Sequence, residues 1–391
     1  METLLQKFSD EINNHGDFWN YYNQNFGNIL ENTQCARKFI YRFFANGGKD
    51  YILDEWINEQ DENIGMRNLH TVNVFFIGVY LQRKIDKNLK IKSRSSEDYK
   101  FSYIWYLLCL AHDLGYEYEN CSQMYLNMRG RSYKYRATNN YRMHSDFQRT
   151  IWYPNRLGWY RRHALNIVYT FSCSKNICDT NRIITYSNGV TIKKARYSQR
   201  LINNYFFYRL YGMEKLDHGI VGADYFYSKM IINYVNQYKK VFLSSSVAPD
   251  FYGFYNSDGL YFCVEQIKIF EYISDCIAAH NVYVSSENDE YKYREYGLEP
   301  LLQDNFEKID YNDNPLLFIL CVADTIEPGK RFAEYRNTEI LDMIRVNYDE
   351  EDNMLCVEVD NRLDFDAARK YVENVRSLER WCNIKVKVEI R

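Results

Sequence analysis

The chain has 391 residues, of which 46% are hydrophobic, and its formal net charge is −3. This composition is ordinary for a globular protein and can fill a substantial core. The longest apolar runs, such as residues 72–81, are too short to cross a bilayer, and residues 1–18 lack the apolar stretch of a secretory signal. We therefore expect a cytoplasmic protein without a membrane partner, made of one large domain or of two to three domains.

Ten cysteines are scattered along the chain, with no CxxC pair and no zinc-ribbon spacing. Free thiols of this kind fit a reducing compartment. Only 5 prolines and 17 glycines are present, which favours long helices joined by modest loops. The sequence therefore predicts a mainly α protein.

The predicted helices follow from apolar residues that recur at spacings of three and four. Residues 1–60 predict amphipathic helices. Residues 67–85 and 99–114 predict two stronger helices, and the second is apolar almost throughout, so we expect it to be buried. The same periodicity returns at residues 216–238, 260–280 and 315–326.

Residues 121–212, here called the basic insertion, hold 16 lysines and arginines against two acidic residues. Their arginines alternate with tyrosine and tryptophan, which suits a polyanion whose phosphates meet the charges and whose bases stack on the rings. Asn188-Gly189 and its flanking residues predict a β-hairpin. The alternative is a cationic surface that packs a small subdomain or docks on the acidic remainder of the chain. The candidate substrate-binding residues are Arg129, Arg131, Arg136, Arg161 and Arg162.

The carboxy-terminal residues change character again. Residues 343–346, 354–360 and 384–390 predict strands, and residues 364–382 predict a helix before the last strand. This ββαβ order indicates a separate α+β module that begins near residue 336. Its role is open between homodimer formation, contact with another partner and cover for the core.

The dipeptide His112-Asp113 ends the buried helix predicted at residues 99–114. An imidazole beside a carboxylate at a buried helix end is costly, because both groups need partners away from water. A bound metal ion satisfies both groups. The plain alternative is an aspartate that caps the next turn beside a packed histidine.

Four further residues favour the metal. His70, His218, His280 and Asp324 each lie at the polar end or face of a strongly apolar helix. Four imidazoles and two carboxylates suit two cations of borderline hardness, such as iron, manganese or cobalt, with open positions for substrate and water. The pattern therefore predicts a two-metal site.

Short motifs surround these residues. They are R-x-x-H-T at 67–71, H-D-L-G at 112–115, H-G-I-V-G-A at 218–223, A-A-H-N at 278–281 and A-D-T-I-E-P-G-K-R at 323–331. Their order is similar to that of the HD-domain metal-dependent phosphohydrolase superfamily. The last two motifs look much like those of the bacterial HD-type diadenosine tetraphosphate hydrolases, which are two-iron members of the superfamily. The matching segments cover residues 67–117 and 216–331.

The resemblance implies two metals joined by a bridging Asp113, with His218 and His280 as the further ligands of the second metal. The metals would be divalent or mixed-valence, with iron or manganese favoured over cobalt, nickel, zinc or magnesium. They would activate a water for attack on a phosphoester or phosphoanhydride of a nucleotide or dinucleotide polyphosphate. In chain order the implied ligands are His70, His112, Asp113, His218, His280 and Asp324.

The chain departs from the family just after the HD pair, where many members carry a lysine that contacts phosphate. Here no lysine follows within residues 114–117. A cation just past Asp324 could substitute for it. Glu117 is a candidate for orienting a ligand histidine, with a solvated loop acid as the alternative. The candidate catalytic residues are therefore His112, Asp113, Lys330 and Arg331.

The resemblance implies an HD-domain helical bundle core at residues 61–120 and 213–335, and we expect a helical segment, 1–60, to pack on it. The basic insertion, at 121–212, would be an α/β or irregular subdomain, and the α+β module would occupy 336–391. Within the enzyme class, the alternative function is a nuclease or cyclic-oligonucleotide phosphodiesterase, with nucleic acid bound by the insertion. The alternative of another class is a non-catalytic nucleotide or nucleic-acid sensor or scaffold.

Overall fold

The structure, a computed structural model, describes residues 1–13, 28–46, 62–92, 98–120, 184–186, 191–192, 195–245, 249–250, 253–257 and 259–391. These residues are mainly helical, as the sequence predicts. The helices are α1 (Leu4–Asn13), α2 (Thr33–Asn46), α3 (Glu62–Asp86), α4 (Phe101–Ala111), α5 (Gln199–Phe207), α6 (His218–Ser244), α7 (Val264–His280), α8 (Glu290–Glu295), α9 (Pro315–Ile326), α10 (Asn337–Met343) and α11 (Phe365–Trp381).

The strands are short and form three small sheets. Their orders are β2-β1-β3-β4, β5-β6 and β7-β8-β9. None of the described helices combines the length and the apolar character that crossing a membrane requires. The strands are β1 (Lys90–Lys92), β2 (Asp98–Lys100), β3 (Ile184–Tyr186), β4 (Thr191–Ile192), β5 (Gly253–Tyr255), β6 (Tyr261–Cys263), β7 (Ile344–Asp349), β8 (Met354–Val359) and β9 (Lys385–Ile390).

The chain divides into two compact units. The first comprises Met1–Lys90, Lys100–Cys109 and Glu307–Arg391, and the second comprises Ile91–Tyr99 and Leu110–Phe306. The predicted division into a core, an insertion and two terminal segments stays a prediction.

In the first unit, α3 packs against α2 and α9. Every residue of α9 except Asp324 is buried, and the helix begins where Asn314 accepts a hydrogen bond from the Leu317 amide and Pro315 occupies the first helical position. Gly78 on α3 lies directly against Trp105 of α4. A Cβ at position 78 would lie only 1.9 Å from Trp105 Cζ2, so no side chain fits there. The Trp105 indole donates to the Phe75 carbonyl at 3.0 Å. These contacts bury the helix that leads to the HD pair.

The carboxy-terminal residues of the first unit have the predicted ββαβ order. β7 and β8 are antiparallel, whereas β8 and β9 are parallel and are joined by α11. Burial alternates along β7 and β8, which leaves one face of the sheet for the core. Asp364 caps the start of α11, because its side chain accepts a hydrogen bond from the Ala367 amide, and Tyr371 on this helix donates to the Ile326 carbonyl at 2.6 Å.

In the second unit, α6 and α7 pack along each other. The prediction that a helix begins at residue 260 is wrong, because Tyr261–Cys263 pairs with Gly253–Tyr255 as a strand before α7 begins. Phe254 and Phe262 stack at 5.4 Å across that pair, and this contact favours the hairpin over another helical turn. The predicted hairpin on either side of Asn188-Gly189 is confirmed by the antiparallel pairing of β3 with β4.

Candidate functional site

The HD pair lies where α4 ends in the second unit. Both side chains are buried, and His112 Nε2 lies 3.4 Å from Asp113 Oδ1. Asp113 precedes the 3₁₀ turn Leu114–Tyr118, but its side chain accepts no capping hydrogen bond from that turn. The plain alternative of a capping aspartate therefore does not describe this residue.

His218 is the first residue of α6, and Asp217 holds it there. The Asp217 carboxylate accepts hydrogen bonds from the Ile220 amide at 2.9 Å and from Asn281 Nδ2 at 2.7 Å. Arg209 Nε lies 3.6 Å from the same carboxylate. Burial raises the pKa of Asp217 to about 6, although Arg209 and the hydrogen bonds from Ile220 and Asn281 oppose this rise. The cap fixes the end of α6 and with it the position of the His218 ring.

His280 ends α7 with a defined tautomer. Its Nδ1 lies 2.6 Å from the Ile277 carbonyl, and since a carbonyl only accepts, Nδ1 carries the proton. The lone pair of the ring is therefore on Nε2, the form that coordinates metals. The His280 ring centre lies 5.5 Å from that of His112 and 5.4 Å from that of His218.

Glycines allow these three segments to approach closely. A Cβ on Gly115, in the turn after the HD pair, would lie 2.0 Å from the His218 carbonyl oxygen. A Cβ on Gly219 would lie 2.9 Å from the Ile277 carbonyl oxygen, and one on Gly222 would lie 3.2 Å from that of Ala111. Contacts of this kind leave no room for a side chain at positions 115 and 219.

Tyr116 follows Gly115 and stacks on His218. The two ring centres are 3.7 Å apart and the planes differ by 17°. The Asn281 amide nitrogen lies 3.4 Å from His218 Nδ1, next to the cap described above. Tyr116 therefore holds the face of a predicted ligand, a contact that sequence reasoning did not predict.

Together these elements form a group that could hold a metal ion, here called the Asp113 group. Asp113, His218 and His280 each offer one ligand atom, and these atoms lie within 4.8 Å of one another. All three residues are buried. Two imidazoles and a carboxylate form a donor set that suits a borderline transition-metal cation.

A second set of predicted residues, here called the His70 group, lies in the first unit. His70 on α3 has Nε2 at 3.2 Å from Asp324 Oδ1 on α9, and its Nδ1 lies 2.8 Å from Glu327 Oε2. A neutral imidazole that donates from Nδ1 to Glu327 presents its Nε2 lone pair to the Asp324 carboxylate. His70 Nε2 and Asp324 Oδ1 would then both be acceptors, and two acceptors repel each other unless a cation lies between them. A proton or a metal ion therefore fits this position.

Glu327 is the functional candidate that sequence reasoning missed. Its carboxylate is buried and accepts hydrogen bonds from Asn73 Nδ2 at 2.7 Å and from the Gly329 amide at 2.9 Å. Burial raises the pKa of Glu327, but the charge of His70 in its protonated form and the hydrogen bonds from His70, Asn73 and Gly329 bring this pKa below its ordinary value. An anionic partner of this kind fixes the orientation of a metal-binding imidazole. The sequence feature that could have identified Glu327 is its place within the motif A-D-T-I-E-P-G-K-R.

The remaining candidate residues differ in position. Lys330 Nζ lies 3.2 Å from Asp324 Oδ1, whereas Arg331 is exposed and its backbone amide donates to the Pro328 carbonyl. Glu117 lies on the turn after Asp113, but its side chain is outside the described residues. The five arginines predicted to bind substrate are also outside them: Arg129, Arg131, Arg136, Arg161 and Arg162.

No protein-family model matches the chain, and neither does a curated protein or a solved structure. The chemistry of the chain is therefore inferred from its own residues.

Gly115→Ala is expected to lower the free energy of unfolding by about 3 kcal/mol or more, because the new methyl group meets a backbone oxygen that cannot rotate away. Gly222→Ala is the matched control inside α6. A Cβ at position 222 has more room, at 3.2 Å from the Ala111 carbonyl oxygen, and alanine also raises helix propensity, so we expect a change within about 1 kcal/mol. Denaturant unfolding of both variants measures the difference, and equal losses would contradict the close approach at Gly115.

Proposed function

We propose that the chain is a metal-dependent phosphohydrolase that cleaves a phosphoester or phosphoanhydride of a nucleotide or dinucleotide polyphosphate. The observation that carries this proposal is the buried Asp113 group, in which a carboxylate and two histidines at helix ends present ligand atoms within 4.8 Å. Buried groups of this type are costly without a cation. The order of the motifs along the chain supports the same chemistry.

We assign all six predicted residues as metal ligands, with Asp113 as the bridge. Iron or manganese suits this donor set best, and cobalt, nickel, zinc or magnesium are the other candidates. When bound, such metals lower the pKa of a water and neutralise charge on a phosphoryl group. The six ligands are His70, His112, Asp113, His218, His280 and Asp324.

The chain's own residues would then divide the remaining work. Glu327 orients His70 through Nδ1 and keeps the Nε2 lone pair towards Asp324. Lys330, now paired with Asp324, can turn its ammonium group towards a substrate phosphate. Tyr116 and the Asp217 cap hold His218 in place. Phosphoryl transfer depends mainly on such positioning and on charge neutralisation.

The charge of the basic insertion favours one alternative, a nuclease or cyclic-oligonucleotide phosphodiesterase that holds a strand along residues 121–212. A strand held by many phosphate contacts would lose about a thousandfold or more in affinity between 50 and 200 mM salt. We expect turnover of a small nucleotide to change little over that range. Steady-state kinetics at both salt concentrations, with mononucleotides, dinucleoside polyphosphates and single-stranded RNA as substrates, separate the two functions.

A non-catalytic sensor or scaffold is the alternative of another class. Asp113→Ala is expected to abolish bound metal and turnover together, because it removes the proposed bridge. Metal analysis of the purified variant and hydrolysis of the same substrates are the measurements. Asp304→Ala, an exposed aspartate of the second unit, is the control and should keep both. If Asp113→Ala kept full metal content and turnover, the assignment of Asp113 as the bridging metal ligand would be wrong.

Glu327→Gln tests the orienting role in the His70 group. The amide keeps the shape but loses the charge that holds the His70 Nδ1 proton, so we expect metal affinity to fall about 10- to 100-fold. Competition with a chelator of known affinity measures this change. Glu334→Gln, at an exposed position seven residues later, is the matched control. Unchanged affinity in Glu327→Gln would show that His70 does not depend on this carboxylate.

A further inference from the structure

A cavity of about 600 Å³ opens in the first unit beside His70. Its walls come from the start of α2, the middle of α3, the loop after α9 and the start of α10. Most small-molecule sites in proteins are roughly 300–1,000 Å³ and combine an apolar lining with a few placed polar groups. The size of this cavity is therefore that of a small-molecule site.

The floor of the cavity is apolar. Leu69, Phe332 and Ile340 line it and are at most 7% exposed. Asn337 also lines it, but its amide is engaged in fixing the walls, since it donates to the Leu30 carbonyl at 2.6 Å and bonds with Asn73 at 2.8 Å. A ligand in this place must therefore bring apolar surface to the floor.

The rim of the cavity is polar and charged. It carries Lys330 and Arg336, with the hydroxyl residue Thr33 and the acidic Glu31 on the α2 side. Such a rim offers cations to an anionic group and hydrogen-bonding partners to ring nitrogens and amino groups. An alkyl chain would leave these polar groups unmatched, and a sugar phosphate would leave the apolar floor unmatched.

The cavity also leads to the His70 group. His70 and Lys330 both line it, and both contact Asp324 Oδ1 at 3.2 Å. A ligand that fills the cavity and extends past Lys330 therefore reaches the carboxylate that we assign as a metal ligand. Lys330 and the apolar floor therefore suit two ends of one molecule, an anionic end and an apolar end.

We propose that this cavity binds the nucleobase-sized ring of an organic phosphate, with the phosphate of that molecule beside Lys330. This inference rests on the proposed function and names the part of the substrate that the first unit recognises. The rings that fit are flat heteroaromatic groups, because they combine apolar faces for the floor with polar edges for the rim.

The test is calorimetric binding of non-hydrolysable phosphonate analogues to the full-length chain in the presence of Mn²⁺. The probes are the analogues of AMP, GMP, CMP and UMP, with the analogue of ribose 5-phosphate as the matched probe that lacks a nucleobase. We expect at least one nucleotide analogue to bind about tenfold or more tightly than the analogue of ribose 5-phosphate. Equal affinities for all five probes would overturn the proposal.

Ala333→Trp places a large ring at the exposed rim of the cavity and should abolish the preference for the nucleotide analogue. It should leave metal content and the affinity for the ribose 5-phosphate analogue unchanged. Ala333→Ser is the matched control, and Thr33→Val, which removes one rim hydroxyl without changing size, should weaken the preference several-fold. A preference that survives Ala333→Trp at unchanged melting temperature would overturn the proposal.

Metal analysis separates this result from the proposed function. Suppose that the chain prefers nucleotide analogues, that the preference depends on position 333, and that the chain neither binds metal nor hydrolyses phosphate. The cavity would then stand as a nucleotide site, and the phosphohydrolase assignment would be wrong. If the chain binds metal and hydrolyses phosphates but shows no preference for a nucleobase, the phosphohydrolase assignment would stand. The proposal that the cavity binds the nucleobase would then be wrong.

Discussion

Close backbone packing at the end of α4 is the constraint on which the Asp113 group depends. The turn after the HD pair lies so near His218 that only glycine fits at position 115, and Gly219 plays the same part between α6 and α7. Backbones at this distance bring an imidazole or a carboxylate from each of three segments into one buried space. The same closeness makes the group intolerant of side chains that a looser fold would accept.

The buried carboxylates near the proposed ligands are each stabilised in a different way. Asp217 has a helix amide, an asparagine and Arg209 around it, whereas Glu327 is held by a histidine, an asparagine and the backbone of its own loop. Neither is proposed as a metal ligand. Each carboxylate instead fixes a proposed metal ligand: Asp217 fixes His218 in the second unit, and Glu327 fixes His70 in the first. Buried polar groups are tolerable when every atom has a partner, and such networks also fix geometry.

Much of this arrangement was predictable from local patterns. Helical periodicity and long apolar runs predicted α3, α4, α6 and α9, with ends that differ from the structure by at most six residues. An apolar face or run of that length is buried most readily as a helix. The start of α7 was missed, since the aromatic residues that pair β5 with β6 also fit a helical period. The histidines and aspartates were predicted as a set because each is costly at the end of an apolar helix unless something binds it.

Other features depend on contacts that no local pattern encodes. The bond between His70 and Glu327 joins residues 257 positions apart, and the stacking of Tyr116 on His218 joins an unremarked loop tyrosine to a predicted ligand. The cavity beside His70 is also a product of packing, since its floor takes residues from α3 and from the region after α9. Residue type and spacing reveal which side chains need a partner. Which atom becomes that partner is decided only when distant segments pack, because hydrogen bonds and cavities depend on distances of a few ångströms.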